Sequence, residues 1–209
     1  MRQRLVALQV ECLEQRSLLS CVLAPDGTLT VEGTNRSDVI SVGTQTVDPG
    51  TPEDPTDDTA TLVITINASE AGKCLLTDVK KLVINAGNGH DTVTIADDVV
   101  VSATINGGNG KDSLKGGGGD DVIVGGNGKD YLDGAGGNDL LQGGNGKDTI
   151  EGGLGNDSLD GGNGPDVLLD SDGDDTNDAF DGGRGKDLVN GLLEQALGVG
   201  QHGRGHGGH

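Results

Sequence analysis

Aliphatic residues recur at every ninth position through the middle of the chain: Leu114, Ile123, Leu132, Leu141, Ile150, Leu159 and Leu168. Their neighbours vary freely, between Ser113 and Tyr131 on one side and between Lys115 and Val124 on the other. An apolar residue between two unconstrained ones is the middle of a short strand with one buried face. Six residues rich in glycine precede each of these strands. Glycine reaches φ > 0 without a Cβ clash, so the pattern predicts a sharp turn between one strand and the next. Gly107 to Leu169 thus reads without a gap as seven nonapeptides: GGNGKDSLK, GGGGDDVIV, GGNGKDYLD, GAGGNDLLQ, GGNGKDTIE, GGLGNDSLD and GGNGPDVLL. So short and regular a period predicts a solenoid, in which each unit buries its apolar residue only by stacking on its neighbours.

A second period lies inside the first. Odd repeats carry Asn third and Lys111, Lys129, Lys147 or Pro165 fifth, whereas even repeats carry Asp120, Asn138 or Asn156 fifth and no Asn third. The true repeat is therefore eighteen residues, two half-turns per coil. A flattened roll with two different edges produces this pattern, because every second loop stacks on the same edge.

Asp occupies the sixth place of every repeat: Asp112, Asp121, Asp130, Asp139, Asp148, Asp157 and Asp166. Sharp glycine turns point backbone carbonyls inward, and carbonyl and carboxylate oxygens are what a hard cation such as Ca²⁺ takes, roughly six to eight per ion. An ion between loop n and loop n+2 shares one Asp from each. The nonapeptides resemble GGxGxDxUx, the repeat of the RTX, or haemolysin-type, calcium-binding family. The resemblance implies an all-β fold, a parallel β-roll bound to calcium. It also implies a ligand set: these seven Asp with Asp175 and Asp187 of the following repeats, together with the second and fourth glycines. Those glycines are Gly108, Gly110, Gly117, Gly119, Gly126, Gly128, Gly137, Gly144, Gly146, Gly153, Gly155, Gly162 and Gly164.

One aliphatic side chain per nine residues is too thin a core to offset the ordering entropy of so glycine-rich a segment. Stacked Asp without counter-ions add repulsion. The expectation is a roll that is disordered without metal and draws its folding free energy from calcium.

The flanks divide the chain into four parts. Residues 1–24 are basic and then apolar, but Glu11, Glu14 and Arg16 interrupt the apolar run, which is poor for a secretory signal. Leu13 to Ser20, LEQRSLLS, resembles the LExRxLLS segment near the N-terminus of many planctomycete exported proteins; a short amphipathic helix is the alternative. Residues 25–85 hold β-branched runs such as TLTVEG, VISV, TLVITIN and KKLVIN, and an acidic loop with Pro49, Pro52 and Pro55. Within them GTNRSDVIS reads as a degenerate coil without metal. Residues 86–191 form the calcium-binding roll. It opens with AGNGHDTVT, and twelve residues, IADDVVVSATIN, separate this repeat from the array and leave the partner of Asp91 open. After Leu169 comes DSDGDDTNDAFD. In repeat phase Gly173 and Asp175 are fourth and sixth, with three residues inserted before Phe180; an EF-hand-like loop with Asp170, Asp172, Asp174 and Asp181 is the alternative. GGRGKDLVN is the last good repeat. Residues 192–209 begin with LLEQALGVG, spaced for one apolar helical face and expected to cap the roll, and end in a tail with His202, His206 and His209.

Composition narrows the function. A net charge of −20, with one Phe, one Tyr and no Trp, argues against nucleic acid and anionic membranes and suits divalent cations. The three cysteines form no disulfide framework, and no stretch approaches the ~18 apolar residues of a membrane span. No HExxH, no GxSxG and no Cys with a plausible His partner is present. These features predict a secreted, calcium-dependent β-roll with a structural or adhesive role at or outside the cell surface, not an enzyme. A module appended to an RTX-type secreted enzyme or toxin, or a passive calcium-binding matrix component, is the alternative. The expected partners are calcium and a cell-surface or matrix component that the sequence does not name.

Overall fold

The computed structural model describes residues 20–47, 59–170, 178–189 and 192–193. A hairpin comes first, β1 (Ser20–Leu23) antiparallel to β2 (Thr28–Glu32). An antiparallel meander follows, β3 (Val39–Val47), β4 (Thr59–Ile66) and β5 (Ser69–Leu75), and then a single 3-10 turn at Leu76–Asp78. From β6 (Lys81–Gly89) onward the strands go alternately to two sheets. The first sheet gains β8 (Ala103–Gly110), β10 (Val122–Gly128), β12 (Leu140–Gly146), β14 (Ser158–Asn163) and β16 (Ala179–Asp181). The second gains β7 (Thr92–Ile95), β9 (Ser113–Lys115), β11 (Tyr131–Asp133), β13 (Thr149–Glu151), β15 (Val167–Leu169) and β17 (Leu188–Val189). The protein is a parallel β-roll.

Register follows the aliphatic residues. In the first sheet Val31, Ile84, Ile105, Ile123, Leu141, Leu159 and Phe180 lie side by side on successive strands. Ile40, Val93, Leu114, Leu132, Ile150, Leu168 and Val189 do the same in the second. The two rows belong to one buried cluster between the sheets. Within the tandem repeats every partner lies eighteen residues away, as in Leu132 with Ile150 and Ile123 with Leu141. A slip of one residue in any strand would turn its aliphatic side chain out to water, which is why the pairing holds.

Parallel stacking begins earlier than residue 86. β2 pairs with β6 and β3 with β7 in the same register as the repeats, so the segment 25–85 supplies the first coil and two antiparallel additions to it. These early coils carry more hydrocarbon. Leu29, Leu82 and Ala103 form a second buried row in the first sheet, and Val42, Ile95 and Val99 thicken the core below the second.

At the other end Leu192 and Leu193 form β18, antiparallel to β17, instead of opening the expected apolar helix. The remainder of that segment, and the N-terminal export-like stretch up to residue 19, lie outside the described residues.

Candidate metal sites

Because each coil returns to the same edge, the sixth-position Asp residues stack in two columns. The backbone N–H of each Asp donates to Oδ1 of the Asp one coil further on. Along the first edge these bonds run Asp38 to Asp91 (2.7 Å), Asp91 to Asp112 (2.9 Å), Asp112 to Asp130, Asp130 to Asp148 and Asp148 to Asp166 (2.8 Å each), and Asp166 to Asp187 (2.9 Å). The second edge runs from Ala103 to Asp121 (2.7 Å), Asp121 to Asp139 (2.7 Å), and on to Asp157 and Asp178 (2.8 Å each). All these carboxylates except that of Asp178 belong to residues exposed by no more than 3%.

The second carboxylate oxygen distinguishes two kinds of position. Oδ2 of Asp91, Asp112, Asp130, Asp139, Asp148, Asp166, Asp178 and Asp187 is buried without a hydrogen-bond donor. The first Asp of each column is different. Asp38 accepts from the Thr34 N–H (2.7 Å) and hydroxyl (2.8 Å) at Oδ2 and from the Asn67 amide (2.7 Å) at Oδ1. Asp121 accepts from the Gly117 N–H (2.8 Å) at Oδ2. Each column therefore starts on a carboxylate satisfied by the protein itself, whereas the eight just named, further along, are not.

A buried ionised oxygen without a donor is costly, so the group holds its proton more tightly or acquires a counter-ion. Burial raises the carboxyl pKa of Asp91, Asp112, Asp121 and Asp148, and pushes Asp130 and Asp166 up to about 6. Asp139, with Asp121 and Asp157 above and below it, is pushed up to about 8, again by burial first and by those neighbouring charges second. The columns are built for positive charge.

In the tandem repeats the space beside Oδ2 is kept by the first glycine of the repeat, a place that Ala86 holds in the repeat of Asp91. A Cβ on Gly125 would lie 2.8 Å from Asp130 Oδ2 and 2.7 Å from the Gly143 carbonyl oxygen of the next coil. One on Gly134 would lie 2.4 Å from Asp139 Oδ2 and 2.3 Å from the Gly152 carbonyl oxygen. A carboxylate oxygen of one coil and a carbonyl oxygen of the next thus converge on a gap that any side chain would fill. Among the described residues no three His, Cys, Asp or Glu side chains gather at one point. Each step of a column supplies two carboxylates, so the rest of an ion's shell must come from backbone carbonyls. An all-oxygen, singly charged, repeated donor set fits Ca²⁺ and offers nothing to softer metals.

The second and fourth glycines do something else as well. On the first edge the fourth glycines stack so closely that a Cβ on Gly128 would lie 1.4 Å from the Gly110 carbonyl oxygen. Gly128 also has φ of 155°, which only glycine adopts without strain. The Gly117 and Gly162 carbonyls accept N–H bonds from Gly136 (3.1 Å) and Arg184 (2.6 Å), so they are already engaged between coils. The first-position glycines, Gly107, Gly116, Gly125, Gly134, Gly143, Gly152 and Gly161, are the positions that sequence reasoning passed over. Their invariance within the array was the available signal.

Three assignments change. The place in the column beside Asp157 is held by Asp178, while Asp175 lies outside the described residues. The three inserted residues precede the Asp and not the aliphatic residue, so Asp178 stands two places before Phe180, as in every other repeat. Asp181 aligns with Asp160 in β16, which is strand and not the closing ligand of a helix-flanked loop. Asp91 has a partner on each side, Asp38 and Asp112, despite the insertion between it and the array.

The family model of the RTX calcium-binding nonapeptide repeat, four copies long, matches residues 106–141 and again 133–168. No curated protein and no solved structure matches the chain.

Proposed function

We propose that this chain, whose residues 106–168 are RTX calcium-binding nonapeptide repeats, serves outside the cell or at its surface as a structural or adhesive β-roll that folds on calcium. The observation that carries this reading is the pair of columns of buried Asp, in which Oδ2 of Asp91, Asp112, Asp130, Asp139, Asp148, Asp166, Asp178 and Asp187 finds no donor. The repeats are a calcium-binding structural module, and the reading assigns the chain no catalytic role. Millimolar calcium is a feature of the extracellular medium, where sites of this kind fill and a roll of this kind is stable. No helix among the described residues is long and apolar enough to cross a membrane.

The early coils give the roll a starting end. At the position where the repeats place Asp121 and Asp139, the coils before them place Leu29, Leu82 and Ala103. The same row of the first sheet thus changes from hydrocarbon to carboxylate at residue 121. Hydrocarbon needs no metal, so the described coils of residues 28–106, in which Asp91 is the one column carboxylate without a donor at Oδ2, form a base that depends on calcium far less than the coils stacked on it.

Hydrogen exchange and far-UV circular dichroism of the whole chain test this. In chelator, residues 28–106 should be protected and 107–189 should exchange freely; millimolar calcium should protect both and increase the β signal. Protection of 107–189 that persists in excess chelator refutes calcium as the source of folding energy. Recovery of the native chain only from the cytosol refutes the extracellular role.

A further inference from the structure

The two edges of the roll differ in charge in a way that calcium binding does not require. Among the described residues Arg36, Lys111, Lys129, Lys147, Arg184 and Lys186 all lie, exposed, in loops of the first edge. Apart from the buried column Asp, those loops contain no acid: they read GTNRSD, AGNGHD, GGNGKD three times, GGNGPD and GGRGKD. In the tandem array the loops of the opposite edge, GGGGDD, GAGGND and GGLGND, contain no cation; the cation of the described loops on that edge is Lys80, ahead of β6. In a chain of net charge −20, this file of cations is confined to one line.

An asparagine ladder runs beside it. The side-chain amide of Asn88 donates to Asn35 (2.6 Å), Asn109 to Asn88 (2.7 Å), Asn127 to Asn109 (2.9 Å), Asn145 to Asn127 (2.8 Å) and Asn163 to Asn145 (2.9 Å). All six are exposed. Each ladder bond uses one N–H and one lone pair of an amide that has two of each, which leaves a donor and an acceptor per coil for a partner. Coils repeat at about 4.8 Å, the spacing of adjacent strands. The edge therefore offers an amide donor and an amide acceptor at every coil from Asn35 to Asn163 and, at most coils, a cation.

We propose that this edge binds an acidic polysaccharide, carboxylated or sulfated, laid along the roll axis; the proposal names a partner for the adhesive role above and rests on that reading. An extended pyranose chain advances per ring by close to the distance between coils, so its anionic groups meet the lysine file in step. Its hydroxyls both donate and accept, which matches the spare half of each Asn. Nucleic acid fits less well. Its phosphates only accept, they wind around an axis instead of following a straight file, and the edge loops hold no Phe, Tyr or Trp on which successive bases could stack. A membrane surface fits less well too, because the exposed large side chains beside the file, Val39 and Tyr131, are single residues three coils apart and form no apolar face to enter the headgroup layer. Calcium in the column beneath removes the negative charge of the buried Asp, so the edge is most cationic in the metal-loaded roll.

The test uses the whole chain in calcium, its fold followed by circular dichroism in the same samples. Labelled hyaluronan supplies the carboxylate alone, chondroitin sulfate adds sulfate, dextran is the neutral control, and duplex DNA is the competing polyanion. The compared variants are Lys111→Gln/Lys129→Gln/Lys147→Gln and Lys115→Gln, the latter a lysine of β9 away from the file. One or both acidic glycans should bind and dextran should not. The triple variant should bind about tenfold more weakly or worse, and the slope of log K against log salt should fall by about two. Lys115→Gln should change neither. Which glycan binds decides between carboxylate and sulfate recognition. The proposal is overturned if the folded chain binds neither glycan, if the triple variant binds as the parent does, or if DNA binds as tightly as the better glycan. A chain that folds on calcium yet ignores both glycans refutes only this inference. One already folded in chelator sinks the calcium reading, and its glycan binding is judged by the same criteria.

Discussion

Asp139→Asn exchanges one oxygen for nitrogen in the middle of the second-edge column and keeps the shape of the side chain. Oδ1 can still accept from the Asp121 N–H, now at 2.7 Å, and the residue's own N–H can still donate to Asp157 Oδ1 at 2.8 Å. Only charge and one oxygen are lost. In the metal-free roll this carboxyl is pushed up to about 8, against 3.8 in an unfolded chain. Folding without calcium at pH 7 therefore requires it to take up a proton. The cost spans the roughly three pKa units between 3.8 and 7, about 1.4 kcal/mol each, or up to about 4 kcal/mol. That figure depends on the working pH and the unfolded pKa, and not on how far above 7 the folded pKa lies. The amide needs no proton, so the metal-free variant should be more stable than the parent by up to about that amount. With calcium the sign reverses, because a carboxylate ligand has gone; changes one shell further from a metal already weaken binding about 10–100-fold. Two titrations followed by circular dichroism check both signs. In chelator, as pH falls from 8, the variant should gain its β signal at a higher pH than the parent. At pH 7 its calcium midpoint should rise at least about tenfold. A variant that lowers β content in chelator as Asp139→Ala does, or that leaves the calcium midpoint unchanged, refutes the assignment of this carboxylate as both buried burden and ligand.

Two further outcomes follow from the same geometry. Asp130 and Asp166 titrate at about 6 and Asp139 at about 8 in the folded metal-free roll, all raised above 3.8, so their contribution is fully present below 3.8 and is lost as pH rises through 6 to 8. In chelator the β signal should therefore grow on acidification from pH 8 to pH 5, whereas calcium affinity should weaken over the same window because protons compete for the carboxylates; a metal-free spectrum that does not change with pH contradicts the shifts. Gly128→Ala places a Cβ 1.4 Å from the Gly110 carbonyl oxygen at a φ of 155°, a backbone clash that should cost about 3 kcal/mol or more and raise the calcium midpoint. Gly43→Ala, with nothing within 4 Å, is the control and should leave the midpoint in place.

Residues eighteen apart in sequence already carried the architecture of the central array. The aliphatic residue in the eighth place, the Asp in the sixth and the alternation of Lys with Asp or Asn in the fifth have to repeat, because each coil's only neighbours are the coils above and below it. Leu132 beside Ile150 and Asp130 beside Asp148 were legible for that reason. What counting could not supply was the alignment across insertions. Asp38 meets Asp91 over 53 residues, Asp91 meets Asp112 over 21, and Asp157 meets Asp178 over 21. Register across insertions is chosen by which aliphatic residues can be buried together, as Val93 with Leu114 and Leu159 with Phe180. The same choice of burial put Asp178 in the column. Only the tertiary structure could show that Leu29, Leu82, Ala103 and Asp121 occupy one row, because a row crosses coils of unequal length. It likewise decided that Asp38 and Asp121 have protein donors for both oxygens while Asp139 does not. A carboxylate's need for a cation depends on the donors that the fold brings within about 3 Å of it, not on its place in a repeat.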